Sequence, residues 1–374
     1  MDFVRIENFD VGVGQFKLQN INLTIPRGEV MVVLGSSGSG KSVLLESIAG
    51  FNRPSHGRIW LDGREVTEEP PEKRQIGFMF QDYALFPHLT VEDNITFSLR
   101  FRQQRRHLRQ GTSIDPSHIV AMLRIEHLLS RYPTQLSGGE KQRVAMARVL
   151  VQQPKLFLLD EPMSALDART REELREELGG IFKRLGLTVI YVTHDQTEAL
   201  ALADCVCILN AGQVVQFGRK EEVFSRPLNS FTAKFLGMEN VFSGVVESMR
   251  GVGHTQAHVV QVQGLGFLTI HGAPDAQPFT PGEIVDVGIR PEDILIGVDD
   301  DNTSNYQYPT ENRLSATITD IIPWGVVYKL HLGGKAVLNA MVTKHQLQQL
   351  NLKPQAVLPI FLPPQNLHIM KADS

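Results

Sequence analysis

Cysteine is nearly absent, with only Cys205 and Cys207 in 374 residues. No His or Cys stands near them at a known ligand spacing, which argues against a metal centre built on cysteine. They alternate within the apolar run CVCIL, face one side of a predicted strand, and read as buried thiols. No apolar run approaches the ~18–20 residues needed to span a bilayer. The opening MDFVRIENFD has neither the charged region nor the apolar stretch of a signal peptide. Together these absences give a cytosolic expectation. The net charge is −4, so there is no global basic field to suggest nucleic acid. Sustained heptads are missing too, which leaves no coiled coil. What is present is ordinary: 42% apolar and 21% charged residues, in a chain long enough for two or three domains.

One stretch organises the chain. Gly35, Ser36, Ser37, Gly38, Ser39, Gly40, Lys41 and Ser42 fit G-x-x-x-x-G-K-[ST] at every specified position. The β-branched run EVMVVLG before it reads as a buried strand, and SVLLESIAG after it as a helix ending on glycine. That context makes the pattern a phosphate-binding loop rather than a glycine-rich turn. The glycines let backbone N–H groups curl toward phosphate oxygens, and the helix opening at Lys41 adds the positive end of its dipole. Lys41 suits the β- and γ-phosphates, and the Ser42 hydroxyl suits Mg²⁺.

Taken in order, VRIEN, QFKLQNINLTI and EVMVVLG predict strands, with turns at Gly12–Gly14 and Pro26–Gly28. GRIWLDGREV predicts a hairpin turning at Asp62-Gly63. IGFMF predicts a strand that passes at Gln81 into an aromatic, proline-rich loop, where Gln81 has reach to a metal and an attacking water. The basic segment 100–116 has no periodicity and reads as a solvated loop, with a lipid headgroup or a partner as its functional alternative. Ser137-Gly138-Gly139-Glu140 forms a capping box at the start of a helix, and its two glycines leave bare N–H groups able to meet an anion. KLFLLDEP predicts a buried strand with Asp160 and Glu161 at its carboxyl edge, where open α/β sheets place ligands. Asp160 suits the metal, and Glu161 suits polarising water. TVIYVTH predicts a strand ending at His194, followed by a helix from about Thr197 and a strand near 205–209.

From about 236 the texture changes to short alternating stretches, including HVVQVQGLGFLTI, EIVDVGI, LSATITDII and VVYKLHL. These predict a small OB-like β-barrel, in two halves divided by the polar spacer 299–305.

The order and spacing of GSSGSGKS, Gln81, LSGGE, LFLLDEP, SALD and His194 resemble the nucleotide-binding subunit of ATP-binding cassette (ABC) transporters. The resemblance covers residues 1–235, with a helical subdomain at about 85–155, and implies an α/β P-loop NTPase fold. It makes Gly35–Ser42 with Val43 the Walker A loop and Gln81 the Q-loop residue, near the metal. It makes Ser137, Gly138 and Gly139 the signature, and Asp160 and Glu161 the Walker B pair. Asp167 falls in the D-loop, and His194 is the switch histidine. The resemblance implies a head-to-tail homodimer sandwiching ATP and Mg²⁺, with Lys41, Glu161, Gln81 and His194 in catalysis. The family stacks adenine on an aromatic residue; here Gly12-Val13-Gly14 stands at that place, flanked by Phe9 and Phe16, and Phe16 is taken as the stacking residue.

The second half, 236–374, is similar to the regulatory TOBE-like barrel of importer ATPases for sugars, iron, polyamines, sulfate and molybdate, through VGIRPEDI and the repeated β-texture. Within it, AMVTKHQLQQLNLKPQAVLPIF resembles the end of molybdate- and tungstate-type barrels. This implies integral permease partners, an external solute-binding protein working through them, and a place on the inner face of the cell membrane. The oxyanion signature of molybdate-type barrels is reduced to Asn312 and Leu314 within PTENRL, so the oxyanion lean stands beside iron, sugar and polyamine import. A soluble cassette acting on DNA or ribosomes is disfavoured by the single cassette and the lack of a basic face. An exporter is disfavoured by the barrel tail, and an oligonucleotide-binding barrel by the lack of interleaved aromatic and basic residues there.

Overall fold

The computed structural model of the chain describes residues 2–104, 115–252, 255–272, 279–297 and 311–372. Most of the basic segment 100–116 and the whole of the spacer 299–305 lie outside the described residues; positions 100–104 close a helix. The chain divides into two compact units, Met1–Val223 and Phe224–Ser374.

In the first unit, β1 (Asp2–Val13), β2 (Phe16–Pro26), β4 (His56–Leu61) and β5 (Arg64–Glu65) form an antiparallel sheet in the order β2-β1-β4-β5. The turn between β4 and β5 is Asp62-Gly63, with φ of 53° and 73°, as a two-residue hairpin of this twist requires. The second sheet runs β10-β9-β3-β8-β7-β6. It comprises β3 (Val30–Leu34), β6 (Ile76–Met79), β7 (Leu156–Asp160), β8 (Thr188–Thr193), β9 (Cys205–Asn210) and β10 (Gln213–Arg219). All but the β9–β10 pair are parallel. Every residue of β3, β7 and β8 is buried, which explains why these strands read as continuous apolar runs instead of alternating ones. Both sheets share a core that includes Phe9, Leu44, Ile59 and Leu158. Cys205 and Cys207 belong to it, and burial pushes the Cys205 thiol up to about 12 and that of Cys207 higher still.

The helices are α1 (Lys41–Ala49), α2 (Pro71–Arg74), α3 (Val91–Gln104), α4 (Pro116–Met122), α5 (Gly138–Leu150), α6 (Ala168–Leu185), α7 (Gln196–Leu202) and α8 (Lys220–Ser225). Helix α1 buries Leu44, Leu45 and Ile48 and stops at Gly50, whose φ of 94° only glycine takes without strain. Its last carbonyls are met by Arg74, 4% exposed, which donates to Ser47 O and Ile48 O as well as to Thr67 O and Glu69 O. The hydrogen bonds to the last carbonyls and the negative end of the helix dipole both favour the cation there, and they offset the desolvation that lowers its pKa. Helix α5 packs against α3 and α4.

The second unit begins with the end of α8 and α9 (Ser230–Phe235), so its boundary precedes the change of texture at 236. Ala233 of α9 joins Met238 and Met370 in a small cluster. The rest is two five-stranded antiparallel sheets. One is β13-β12-β11-β14-β20, from β11 (Asn240–Val252), β12 (Thr255–Val262), β13 (Gly266–His271), β14 (Ile284–Ile289) and β20 (His368–Lys371). The other is β15-β19-β16-β17-β18, from β15 (Leu295–Ile296), β16 (Arg313–Trp324), β17 (Val327–Gly333), β18 (Leu338–Thr343) and β19 (Val357–Phe361). Helix α10 (Lys344–Gln349) follows β18. The halves on either side of the spacer exchange edge strands: β20 completes the first sheet and β15 the second. One core, from Val246 to Leu367, is the result.

Candidate nucleotide site

Four neighbouring parallel strands end on the same side, and each delivers one sequence-predicted residue. Across the sheet, β3 leads into the glycine loop, β8 ends before His194, β7 ends at Asp160, and β6 ends just before Phe80 and Gln81. This is the carboxyl edge at which open α/β sheets hold ligands.

The loop from Gly35 to Gly40 needs its glycines. A Cβ on Gly35 would lie 2.4 Å from Leu209 O and from Ser39 Oγ, and Gly38 and Gly40 have φ of 79° and 104°. A Cβ on Gly40 would meet the Phe16 ring at 2.6 Å, so Phe16, half-buried at the start of β2, lies directly against the phosphate loop. Phe9, its rival for adenine, is fully buried in the core. Val13 at the hairpin tip is 38% exposed.

Lys41 is 6% exposed, and its Nζ folds back to donate to Gly35 O at 2.9 Å and Ser36 O at 3.2 Å, 3.7 Å from Glu161 Oε1. Ser42 Oγ donates to Asp160 Oδ1 at 3.1 Å, joining the first turn of α1 to the end of β7. Asp160 is 9% exposed; burial raises its carboxyl above the usual range, opposed by the Ser42 hydroxyl and reinforced by the Glu161 charge. A hydroxyl and a buried carboxylate side by side are a hard-oxygen pair that fits a divalent cation.

Glu161 has φ of 42°, a left-handed backbone uncommon outside glycine and asparagine. Its N–H donates to Val192 O at 3.0 Å, and its Oε2 lies 3.3 Å from His194 Nδ1. His194 is 61% exposed, on a turn fixed by Asp195, which caps α7 by accepting from Thr197 N and Glu198 N. Beneath it, the Tyr191 hydroxyl donates to Glu198 Oε2 at 2.8 Å, and burial raises both groups. Gln81 Nε2 lies 3.4 Å from Ser164 Oγ, which itself donates to Glu161 O at 2.9 Å, so Gln81 touches the D-loop segment in this state.

Ser137 caps α5 as its sequence predicts: Ser137 N and Oγ both donate to Glu140 Oε2 at 2.8 Å, and Glu140 N donates to Ser137 Oγ. The amide and hydroxyl of Ser137 hold the Glu140 carboxyl below its ordinary range. The glycines behind it face the D-loop and the start of α6: Cβ atoms there would meet Leu166 at 3.2 Å from Gly138 and Thr170 at 3.0 Å from Gly139. Asp167 spends its carboxylate capping α6, accepting from Thr170 N and Oγ1, which lowers its titration. Among the described residues no hydrogen bond or ion pair joins the Ser137–Glu140 turn to the glycine loop of the same chain.

Three organising residues escape sequence reasoning. Asn94 is fully buried, donates to carbonyls of Phe86, Leu89 and Thr90, and accepts from Phe86 N. Arg74 caps α1, and Arg171 ties the D-loop to the histidine turn through Leu166 O and Asp195. Each acts through side-chain contacts to backbone carbonyls or a distant carboxylate that no sequence pattern announces. In the second unit Asn312 bridges the sheets, donating to Thr269 O and Leu362 O and accepting from Thr269 N, so its amide is spent internally.

Comparison with known proteins agrees with this geometry. A family model for the ABC transporter cassette matches residues 18–164, and one for the TOBE domain matches residues 287–370. The chain is 39% identical to the molybdate/tungstate import ATP-binding protein WtpC of Pyrococcus abyssi, over 93% of this chain and 94% of that one. It is 40% identical to the spermidine/putrescine import ATP-binding protein PotA of Thermotoga maritima, over 78% and 77%. The dimeric structure of MJ0796, a bacterial ABC transporter cassette, superimposes with a TM-score of 0.51 at 31% identity, covering 58% of this chain and 98% of that one. The chain belongs to the ATP-binding subunits of ABC importers: an ATPase cassette of P-loop fold, followed by a TOBE domain of small-barrel type.

Proposed function

We propose that this ATPase works as a head-to-tail homodimer that drives solute uptake through two separate permease subunits, on the inner face of the membrane, with an external binding protein delivering the solute. The observation that carries the reading is the convergence of Lys41, Ser42, Asp160, Glu161 and His194 at one sheet edge, with no hydrogen bond or ion pair among the described residues joining the signature turn to the glycine loop of the same chain. A second copy would bring Ser137, Gly138 and Gly139 to the γ-phosphate, and the dimeric form of the MJ0796 cassette supports that arrangement. Exposed phenylalanines beside Gln81 support a partner there: Phe51 is 50% and Phe80 39% exposed, packed around Phe78.

In turnover Lys41 leaves its own carbonyls for the phosphate oxygens, and the loop N–H groups of Gly35, Ser36, Ser37, Gly38, Ser39 and Gly40 cradle them, with Val43 in the following turn. Glu161 takes a proton from the attacking water, and His194 and Gln81 orient that water and the γ-phosphate. Ser42 and Asp160, with Gln81 alongside, would hold Mg²⁺, which when bound offsets phosphate charge. Phe16 offers adenine a face next to the loop. Asp167, fixed as a helix cap, would shape the D-loop that the second copy meets.

The solute we assign is an inorganic oxyanion such as molybdate, tungstate or sulfate. The full-length likeness to a molybdate/tungstate subunit supports it, whereas the likeness to a polyamine subunit and the internal use of Asn312 favour a polyamine, iron or sugar. ATP hydrolysis titrated with each candidate solute tests the choice. Inhibition by one oxyanion, lost on truncation after Leu236, would name the solute and make the TOBE domain its sensor. Inhibition by spermidine instead would overturn it.

A further inference from the structure

The loop carrying Gln81 is strained twice in succession. Tyr83 and Ala84 have φ of 62° and 44°, the one adjacent pair of left-handed non-glycine residues among those described. Left-handed backbone is costly for any residue with a Cβ, and most so for a bulky one; Tyr83 is also buried, at 6% exposure. Such a turn persists only where its surroundings over-determine it.

Part of the restraint is local. Ala84 N donates to Asp82 Oδ1 at 3.1 Å, and Tyr83 N to Phe80 O at 3.0 Å. The Tyr83 hydroxyl donates to Pro162 O at 3.3 Å, one residue past Glu161. The carbonyls of the turn are held by a distant side chain. Arg148, in the last turn of α5, donates from Nη1 to Ala84 O at 2.6 Å and from Nη2 to Tyr83 O at 2.9 Å. Its guanidinium also lies over the Phe86 ring, 5.5 Å from the centroid. Two successive carbonyls turned to one side match the planar fork of a guanidinium, and the point charge of a lysine does not. The same helix opens at the Ser137 cap, so one rigid rod carries the signature at one end and the clamp on the Gln81 loop at the other.

We propose that Arg148 is a positioning residue: by chelating the carbonyls of Tyr83 and Ala84 it holds the left-handed turn that presents Gln81 to the site, and it makes the loop move with the signature helix. The proposal rests on the reading that Gln81 takes part in turnover. Arg148 itself touches neither the glycine loop nor the Glu161 carboxylate.

The test is ATP hydrolysis by the purified full chain, with kcat and KM determined separately for Gln81→Ala, Arg148→Ala, Arg148→Lys and the double variant Arg148→Ala/Ala84→Gly. Losing two charge-assisted hydrogen bonds should lower kcat of Arg148→Ala on the order of tenfold, with KM for ATP nearly unchanged. Lysine should restore little. Glycine at 84 adopts the left-handed turn without a Cβ penalty, so the double variant should regain much of the lost kcat. A residue serving only to pack α5 would not be rescued in this way. Wild-type kcat in either single Arg148 variant, or no rescue in a double variant that still binds ATP, overturns the proposal; the lysine variant carries the test if Arg148→Ala does not fold. If Gln81→Ala alone retains wild-type kcat, the reading of Gln81 fails and this proposal falls with it. If Gln81→Ala slows turnover and the Arg148 variants do not, only the proposal fails.

Discussion

The Ser42 hydroxyl donates to the Asp160 carboxylate across 3.1 Å, so the first turn of the helix after the phosphate loop and the end of the buried strand β7 meet through one hydrogen bond. The two oxygens are those that a divalent cation would need. We expect Ser42→Ala and Asp160→Asn each to slow hydrolysis by about a hundredfold or more, and to raise the Mg²⁺ concentration needed for half-maximal rate. Nucleotide binding measured in chelator should change little. A Mg²⁺ dependence equal to wild type in Asp160→Asn would remove that residue from the metal.

Phe16 and Phe9 divide by burial. Phe16 rests against Gly40 of the loop, whereas Phe9 is fully enclosed. Phe16→Ala should weaken ATP binding by roughly tenfold, the scale of one lost base–aromatic stack, with little loss of thermal stability. Phe9→Ala should cost about 3–5 kcal/mol of stability. Equilibrium dialysis with ATP, beside denaturant melts, separates the two, and an unchanged ATP affinity in Phe16→Ala would move adenine toward Val13.

Ser137 is predicted to act on a partner's nucleotide. Ser137→Arg should leave ATP binding to its own chain intact and stop hydrolysis. Mixed in equal amounts with Lys41→Ala, it should form a mixed pair in which one interface carries both lesions. The other, Lys41 of the Ser137→Arg copy facing Ser137 of the Lys41→Ala copy, is intact and restores part of the activity. Full activity of Ser137→Arg would count against the sandwich.

The second unit should carry an acid sensitivity. His258 is 4% exposed, with no hydrogen-bond partner at either ring nitrogen among the described residues, and burial lowers its pKa below 6.5. Burial lowers His368 likewise, against the opposing pull of Pro227 O, 2.8 Å from its Nε2. The folded state holds both rings neutral while the unfolded chain takes up protons near 6.5. Their contribution is therefore complete above that value and lost as pH falls from it toward the depressed native pKa. Denaturant unfolding followed from neutral to mildly acid pH should show this loss, and His258→Phe should flatten it. An equal slope in that variant would place the sensitivity elsewhere.

Much of the site was legible in the sequence because its parts are local: a strand, a turn and a helix start each leave a pattern within ten residues. The glycine loop, the Ser137 capping box, the Asp62-Gly63 hairpin and the strand ending at Asp160 all fall in this class. Legibility failed where a fold-wide contact decides the outcome. Arg148 reads as one more basic residue on an amphipathic helix, and only the folded chain brings its fork to Tyr83 and Ala84. Asn312 looked like a remnant of an anion site, yet its amide is consumed between two sheets. The exchange of β15 and β20 was hidden for the same reason: alternation marks a strand, not its neighbour.

The most direct measurement is the behaviour of Glu161→Gln, whose parent carboxylate sits between Lys41 and His194. The variant would be followed by phosphate release and by light scattering after gel filtration, with and without ATP and Mg²⁺. Glutamine keeps the shape and loses the base, so ATP should bind, hydrolysis should fall to background, and the chain should elute as a dimer only with nucleotide. Hydrolysis at the wild-type rate, or a monomer with ATP bound, would contradict the assignment of Glu161 as the base or the nucleotide sandwich.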